Sequence, residues 1–335
     1  MEGQINLQWD YEMKLLITGG AGFVGSRLAS RILKDAELNG QKIDKLVISD
    51  QFAPPSSLLN DPRVECRTSP LLTQCQSIHE DRFDGVFHLA SAVSGECEED
   101  FELGLRSNLD TTRALLDGLR KAGNAPRLVF SSSVAVFGPD PAHPMPDIVT
   151  DDTLPMPQTS YGTHKLMCEH LIADYTRKGF IDGRSARLMT VTVRPGRPNG
   201  AASSFFSGII REPLNGETAI CPVLDSVSHP VSTPSLTIQG LKAVYEASRE
   251  SFLGRSGMNL PALNVTVKDM LQALENVAGK SVRSLVKFEL NERIASIVSN
   301  WPKGTNSTRA VRLGLHSPKN FESVIEEYIA DQKSN

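Results

Sequence analysis

The sequence predicts an α/β protein: a doubly wound parallel sheet followed by a smaller C-terminal α/β cap. Three observations lead there. Short apolar runs alternate with helix-periodic segments through the first half of the chain, the pattern of repeated β–α–β units. Glycines sit where the first strand turns into the first helix. Beyond about residue 195 the alternation loosens, as in a separate unit that covers a ligand. The expected division is an extension over 1–12, a dinucleotide-type domain over 13–195 to which 233–265 returns, and a cap over 196–335.

Composition excludes several classes of function. Of the 335 residues, 40% are apolar and 22% charged, and the formal charge of -4 supplies no basic field for nucleic acid or anionic lipid. No apolar run approaches the ~20 residues of a membrane span. Residues 1–12 carry acids, amides and Trp9 but no basic and apolar leader pattern, so they are not expected to be a signal peptide. The five cysteines are scattered, without CxxC spacing. That points to reduced thiols in the cytoplasm and to no metal site. His88 has no partner at metal-ligand spacing and reads as a core histidine.

The first strand, Met13–Thr18, runs straight into Gly19, Gly22 and Gly25, after which Val24, Leu28, Ala29, Ile32 and Leu33 recur at helical spacing. A strand that turns into a helix through three such glycines permits a tight turn and close approach to a ligand. The helix N-terminus then offers free N–H groups to a pyrophosphate. This predicts a Rossmann-type fold with a dinucleotide against Gly19, Gly22, Phe23, Val24 and Gly25. The next strand, 45–49, ends at Asp50, placed to accept hydrogen bonds from the adenosine ribose and to repel a 2′-phosphate. No arginine follows, so the expected cofactor is NAD.

A third, edge-like strand is expected over 63–67 and a fourth over 84–91, with Leu89, Ala90 and Ser91 at its end against the cofactor. A long helix over 98–123 would hold Asn108, and a buried asparagine must be hydrogen-bonded. The strand 126–130 opens into Ser131, Ser132 and Ser133, hydroxyls at the carboxyl edge where parallel sheets bind ligands. A proline-rich loop leads to a helix over 160–178, and a strand is expected over 188–193. Cap elements are expected as helices over 203–211, 233–249, 266–278, 292–299 and 321–332, with strand-like runs over 258–265 and 285–288.

Tyr161 and Lys165 stand four apart on the helix, hence on one face. A phenol with a pKa of roughly 10 is a poor base at neutral pH, and a nearby ammonium favours the phenolate. Alone, the pair describes any surface tyrosine beside a solvated lysine. Behind a dinucleotide loop, an acid for the ribose and Ser133, it is expected to be catalytic, taking a proton from an alcohol beside a hydride acceptor.

These residues in this order resemble the extended short-chain dehydrogenases/reductases, the NAD-dependent epimerase/dehydratase group. The resemblance implies Ser133 as the catalytic serine, Tyr161 as acid or base, and Lys165 as the holder of the nicotinamide ribose. It also implies Asn108, Ser131 and Pro195 near the cofactor, and a homodimer through the helices over 98–123 and 160–178. Phe137 stands where many members carry tyrosine, and Ser132-Ser133-Val134-Ala135 lacks the acids of the dehydratases. Val93–Glu96, the run 194–199, Ala202–Phe205, Gly208–Leu214 and Asn259–Val267 are similar to one branch, the D-erythronate dehydrogenases. That branch oxidises the C2 hydroxyl of a four-carbon sugar acid with NAD. Thr68-Ser69-Pro70 departs from the group, which more often has Gly-Asp there for the adenine.

A small acid needs a guanidinium and short polar side chains. Ser94, Ser133, Arg197, Asn199, Ser203, Ser204 and Arg211 supply those types and are the expected substrate residues. The competing readings are a nucleotide-sugar 4-epimerase that keeps its NAD, and a non-catalytic NAD-binding regulator. The intact Tyr161/Lys165 pair speaks against the regulator.

Overall fold

Seven parallel strands run through one sheet, in the spatial order Met258–Asn259, Asp182–Leu188, Arg127–Ser133, Gly85–His88, Met13–Thr18, Gln41–Asp50, Val64–Thr68. The two-residue strand Glu37–Leu38 adds antiparallel to Gln41–Asp50. The structure, a computed structural model, describes residues 13–196 and 201–334. The N-terminal extension, Arg197 and Asn199 lie outside the described residues. Strand order reverses between Met13–Thr18 and Gly85–His88, and such a switch point opens the crevice where doubly wound sheets bind ligands.

The central strands are buried on both faces. Leu15, Ile17, Phe87 and Val129 pack one side with Leu28 and Ile32 of the helix Phe23–Asp35 and Ile238, Leu241 and Tyr245 of the helix Pro234–Glu246. Leu16, Val47, Val86 and Phe130 pack the other with Leu115, Leu119 and Ile172. A third cluster belongs to the cap, where Phe206, Ile209, Val231, Met270, Leu274 and Ile325 meet. The small cap sheet runs Leu263–Thr266, Ser228–Ser232, Thr190–Val191, so the cap is tied to the backbone just after the sixth parallel strand.

Four elements differ from expectation. The second strand starts at Gln41, not 45, because Ala36 caps the preceding helix in the left-handed region and a hairpin carries the chain back. The long helix over 98–123 is broken: Ser94–Glu99 ends at extended Asp100, and Leu105–Asp110 is a π-helical stretch before the helix Thr111–Ala122. The strand expected over 188–193 is Asp182–Leu188, with a two-residue strand at Thr190–Val191. The run 258–265 splits between the main sheet and the cap sheet.

The helix that carries the tyrosine, Ser160–Arg177, is capped by Thr159, whose Oγ1 accepts the Gly162 N–H at 3.1 Å. Gly162 is required by packing. A Cβ there would lie 2.1 Å from the Ala135 carbonyl oxygen, so only glycine lets this helix press against the loop that follows Ser133. Gly162→Ala is expected to push the tyrosine off its serine and lower kcat about 10²-fold. NAD affinity is expected to hold, which fluorescence titration would check.

Candidate active site

A cavity of about 330 Å³ opens at the carboxyl edge of the sheet, lined from one end to the other by Gly22, Ser133, Tyr161, Lys165, Arg194 and Trp301 among others. Its first end is the glycine loop. Gly19, Gly22, Phe23, Val24 and Gly25 all line it, with Leu89 and Ser91 opposite. Gly25 packs so tightly that a Cβ would fall 2.2 Å from the Gly19 carbonyl. Gly22 caps the first helix with no side-chain hydrogen bond, which leaves the first-turn N–H groups for an anion.

Asp50 lies beyond this loop. Its Oδ2 accepts the Ala21 N–H at 3.0 Å and its Oδ1 the Gln51 N–H at 2.7 Å. The carboxylate thus fixes the turn and stands at the strand end where an adenosine ribose belongs. Ala90 packs against Gly19. Asn108 sits behind the cavity, 3% exposed, its Oδ1 accepting the Ala92 N–H at 2.7 Å and the Ser91 hydroxyl at 3.0 Å. It supports the turn that holds the cofactor side of the cavity. Donor-rich helix terminus, close glycine backbone and strand-end carboxylate together fit an NAD molecule.

Ser133, Tyr161 and Lys165 converge in the middle of the cavity. The Ser133 Oγ accepts the Ala135 N–H at 3.1 Å, and the Ser133 side chain lies close enough to the Tyr161 phenol to favour its phenolate. The Lys165 ammonium donates to the Ser131 carbonyl at 2.7 Å and lies 5.5 Å from the centre of the Tyr161 ring. Glu169, the next residue on that helix face, holds the Arg187 guanidinium through two bonds of 2.9 and 2.8 Å. Its Oε1 also accepts the Ser132 hydroxyl at 2.5 Å, locking helix to serine strand.

Burial dominates the electrostatics here. It pushes the Tyr161 phenol up to about 12, against the Ser133 hydrogen bond and the Arg194 guanidinium, which favour the phenolate. Burial also lowers the Lys165 ammonium to about 8. The sequence reading that the ammonium by itself brings the phenol down is therefore corrected: in this site serine and arginine pull it down and desolvation outweighs them. The sign for activity follows. A base must first lose its proton, so the phenolate fraction grows about tenfold per pH unit below its pKa, until Lys165 loses charge. Oxidation, read as kcat/KM, is expected to climb steeply up to pH about 8 and to level off above it. A flat profile through neutrality would contradict proton transfer to Tyr161.

The far end of the cavity departs most from the sequence reading. Ser94 and Ser203 line it as expected. Ser204 begins the helix Ser204–Leu214 and, like Pro195, is not among the described lining residues. Arg211 stands back from the cavity, 4% exposed, donating to the Arg194 carbonyl at 2.7 Å and to Glu212 at 2.6 Å. The guanidinium that does reach the cavity is that of Arg194, which bonds the Ser203 hydroxyl at 3.2 Å. It has no acidic partner among the described residues, and burial and the nearby Arg211 both disfavour its charge. Thr190, Val191, His229 and Trp301 complete this end. None of these five was named as a substrate residue from sequence, although Arg194 opens the run 194–199 that carried the resemblance. Arg194 carried a signal, since it ends the strand-like run and opens Arg-Pro-Gly; the aromatic pair carried none.

Fold and site together define a Rossmann-type oxidoreductase that uses a nicotinamide dinucleotide. The NAD dependent epimerase/dehydratase family model matches residues 15–228. D-erythronate dehydrogenase of Cupriavidus necator is 45% identical over 95% of this chain and 98% of its own, and that of Haemophilus influenzae 41% over 95% and 99%. A crystal structure described as a nucleoside-diphosphate-sugar epimerase from Agrobacterium tumefaciens superposes with TM-score 0.91 at 39% identity, over 100% of this chain and 98% of that one. The chain belongs to the NAD dependent epimerase/dehydratase family, and it is an NAD-dependent oxidoreductase.

Proposed function

We propose that the enzyme oxidises the C2 hydroxyl of a four-carbon sugar acid, D-erythronate, to the 2-oxo acid. One observation carries the reading: Arg194, a half-buried guanidinium beside Tyr161 with no acidic partner among the described residues. A buried cation is costly unless an anion joins it, and a substrate carboxylate one carbon from the reacting hydroxyl supplies that anion. The relatives named above, two of them D-erythronate dehydrogenases matched along nearly their full length, support the same substrate.

Bound NAD supplies the hydride acceptor. Ser133 donates to the substrate oxygen and holds it on Tyr161. The phenolate of Tyr161 removes the hydroxyl proton as the C2 hydrogen leaves. Lys165, fixed by the Ser131 carbonyl, places its charge against the nicotinamide ribose and the phenolate. Arg194 and Ser203 hold the carboxylate, with Ser94 beside the sugar hydroxyls. Arg211 and Ser204 act here as supports. Arg197 and Asn199 belong to the segment beside Arg194 and remain candidates for the same acid.

The Agrobacterium structure, described as an epimerase, favours a second reading, a nucleotide-sugar 4-epimerase. An epimerase returns its hydride and releases no NADH, so purified enzyme incubated with NAD and either four-carbon aldonates or UDP-sugars separates the two. Net NADH with the aldonate is the expected result.

Residues 13–195 together with the stretch over 233–260 form the dinucleotide unit in this proposal, and the remainder covers the substrate. The enzyme is expected to be a homodimer. Phe101 and Met167, 58% and 44% exposed, lie with Leu105 on a shallow surface that also carries Glu98, Gln158, Thr163 and His164. Light scattering at twice the chain mass is the expected result. Five free cysteines suit a reducing cytoplasm, and no helix among the described residues is long and apolar enough to cross a membrane.

A further inference from the structure

We propose that Trp301, seated on the His229 ring, ends the substrate cavity and restricts the enzyme to short sugar acids with a single carboxylate. The inference deepens the sugar-acid reading and rests on it.

Three anchors already fix most of the substrate. The dinucleotide side of the cavity is the glycine loop with Leu89 and Ser91, the reacting carbon belongs at Ser133 and Tyr161, and the carboxylate belongs at Arg194 and Ser203. Thr190, Val191, His229 and Trp301 line the same cavity as Arg194 and belong to none of these anchors. In this proposal the tail of the sugar chain runs toward them.

That wall is stiff. The His229 imidazole is 1% exposed and lies flat on Phe206, ring centres 5.0 Å apart and planes 6° from parallel. Its Nε2 is 2.7 Å from the Thr190 hydroxyl, so it is pinned across the small cap sheet to the strand that leads to Arg194. Trp301 also packs against the imidazole, ring centres 5.1 Å apart and planes tilted by 41°. It follows the helix Glu292–Ser299 and precedes the strand Gly304–Thr305, so both of its flanks are anchored. Phe206 further sits in the cap's own core with Ile209 and Met270. A longer substrate cannot displace such a stack without disturbing that core.

The wall is also uncharged. Burial holds the imidazole down at about 3, so His229 is neutral at any working pH. Among the described lining residues Arg194 and Lys165 are then the cations, and Lys165 is committed to the Ser131 carbonyl and the cofactor side. A second carboxylate at the chain end would meet an aromatic face with no counter-charge among the described residues. Sugar diacids are excluded by the missing counter-charge, and long chains by the ring itself.

The test compares kcat/KM for four-, five- and six-carbon aldonates and for a four-carbon diacid, in the wild type, Trp301→Ala and Trp301→Phe. Pocket discrimination of about 10- to 200-fold per extra carbon is within reach of such a wall. The wild type is expected to favour the four-carbon monoacid. In Trp301→Ala the preference for four over six carbons is expected to fall at least about tenfold, with Trp301→Phe between the two. The diacid is expected to stay poor in all three, because no charge is added. Trp301→Phe keeps an aromatic ring on the imidazole, so it reports even if the alanine variant folds badly. A wild type that takes all chain lengths equally, or variants whose length ratio stays at the wild-type value, would overturn the proposal while leaving the sugar-acid reading in place. A wild type that oxidises no aldonate would remove both.

Discussion

Tyr161→Phe is expected to lower kcat by about 10²–10⁴-fold while leaving the NAD dissociation constant nearly unchanged. The phenyl ring fills the same space against Lys165, so the cavity keeps its shape and loses only the proton acceptor. The size of the loss follows from the surroundings. The phenol is held by Ser133 and faced by Arg194, and no other group in the described lining has a hydroxyl so placed beside a lysine. Stopped-flow NAD binding with steady-state turnover would check it. Retained turnover would remove Tyr161 from the mechanism.

Arg194→Met is expected to act on the acid instead of the cofactor. Truncating one partner of a desolvated, hydrogen-bonded charge pair costs about 2–5 kcal/mol, so kcat/KM for the sugar acid should fall roughly 30-fold to several thousand-fold. KM for NAD should change little. Two features make the loss large. Arg194 is half-buried, and the Arg211 guanidinium close by makes its charge more costly until an anion arrives. Arg194→Lys keeps a charge but loses the planar fork that matches a carboxylate, so it is expected to recover only part of the activity. An unchanged KM for the acid in Arg194→Met would place the carboxylate elsewhere, with the segment over 197–199 the next candidate.

What the sequence disclosed and what it hid divide along physical lines. Gly19, Gly22, Gly25 and Asp50 were legible because strand, turn and helix follow one another within a short stretch and each residue type answers a backbone need. Tyr161 and Lys165 were legible because helical spacing puts them on one face. The strand Asp182–Leu188 was obscured by its own charges. Arg184 and Arg187 are buried in it, one bonded to Asp182 and the Tyr245 carbonyl, the other to Glu169, and no periodicity rule expects arginines in a central strand. The β-branched run just after it drew the assignment instead. Arg211 and Arg194 exchanged roles for a related reason. Both are arginines in one polar segment, and only the packing of the helix Ser204–Leu214 decides which is covered by Glu212 and which faces the cavity. His229 and Trp301 meet from sites about seventy residues apart, a distance that local patterns do not cross. The need for glycine at 162 was not legible because it lies in the Ala135 backbone, not in the residue's own neighbours.

The central claim is that this site oxidises a sugar acid and hands the hydride to NAD for release. Purified enzyme, NAD and D-erythronate, followed by NADH absorbance with the organic product identified by mass spectrometry, tests it most directly. The account predicts one NADH for each 2-oxo acid formed, with UDP-sugars inert. No NADH from any four-carbon aldonate, together with interconversion of a UDP-sugar at constant NAD, would contradict it.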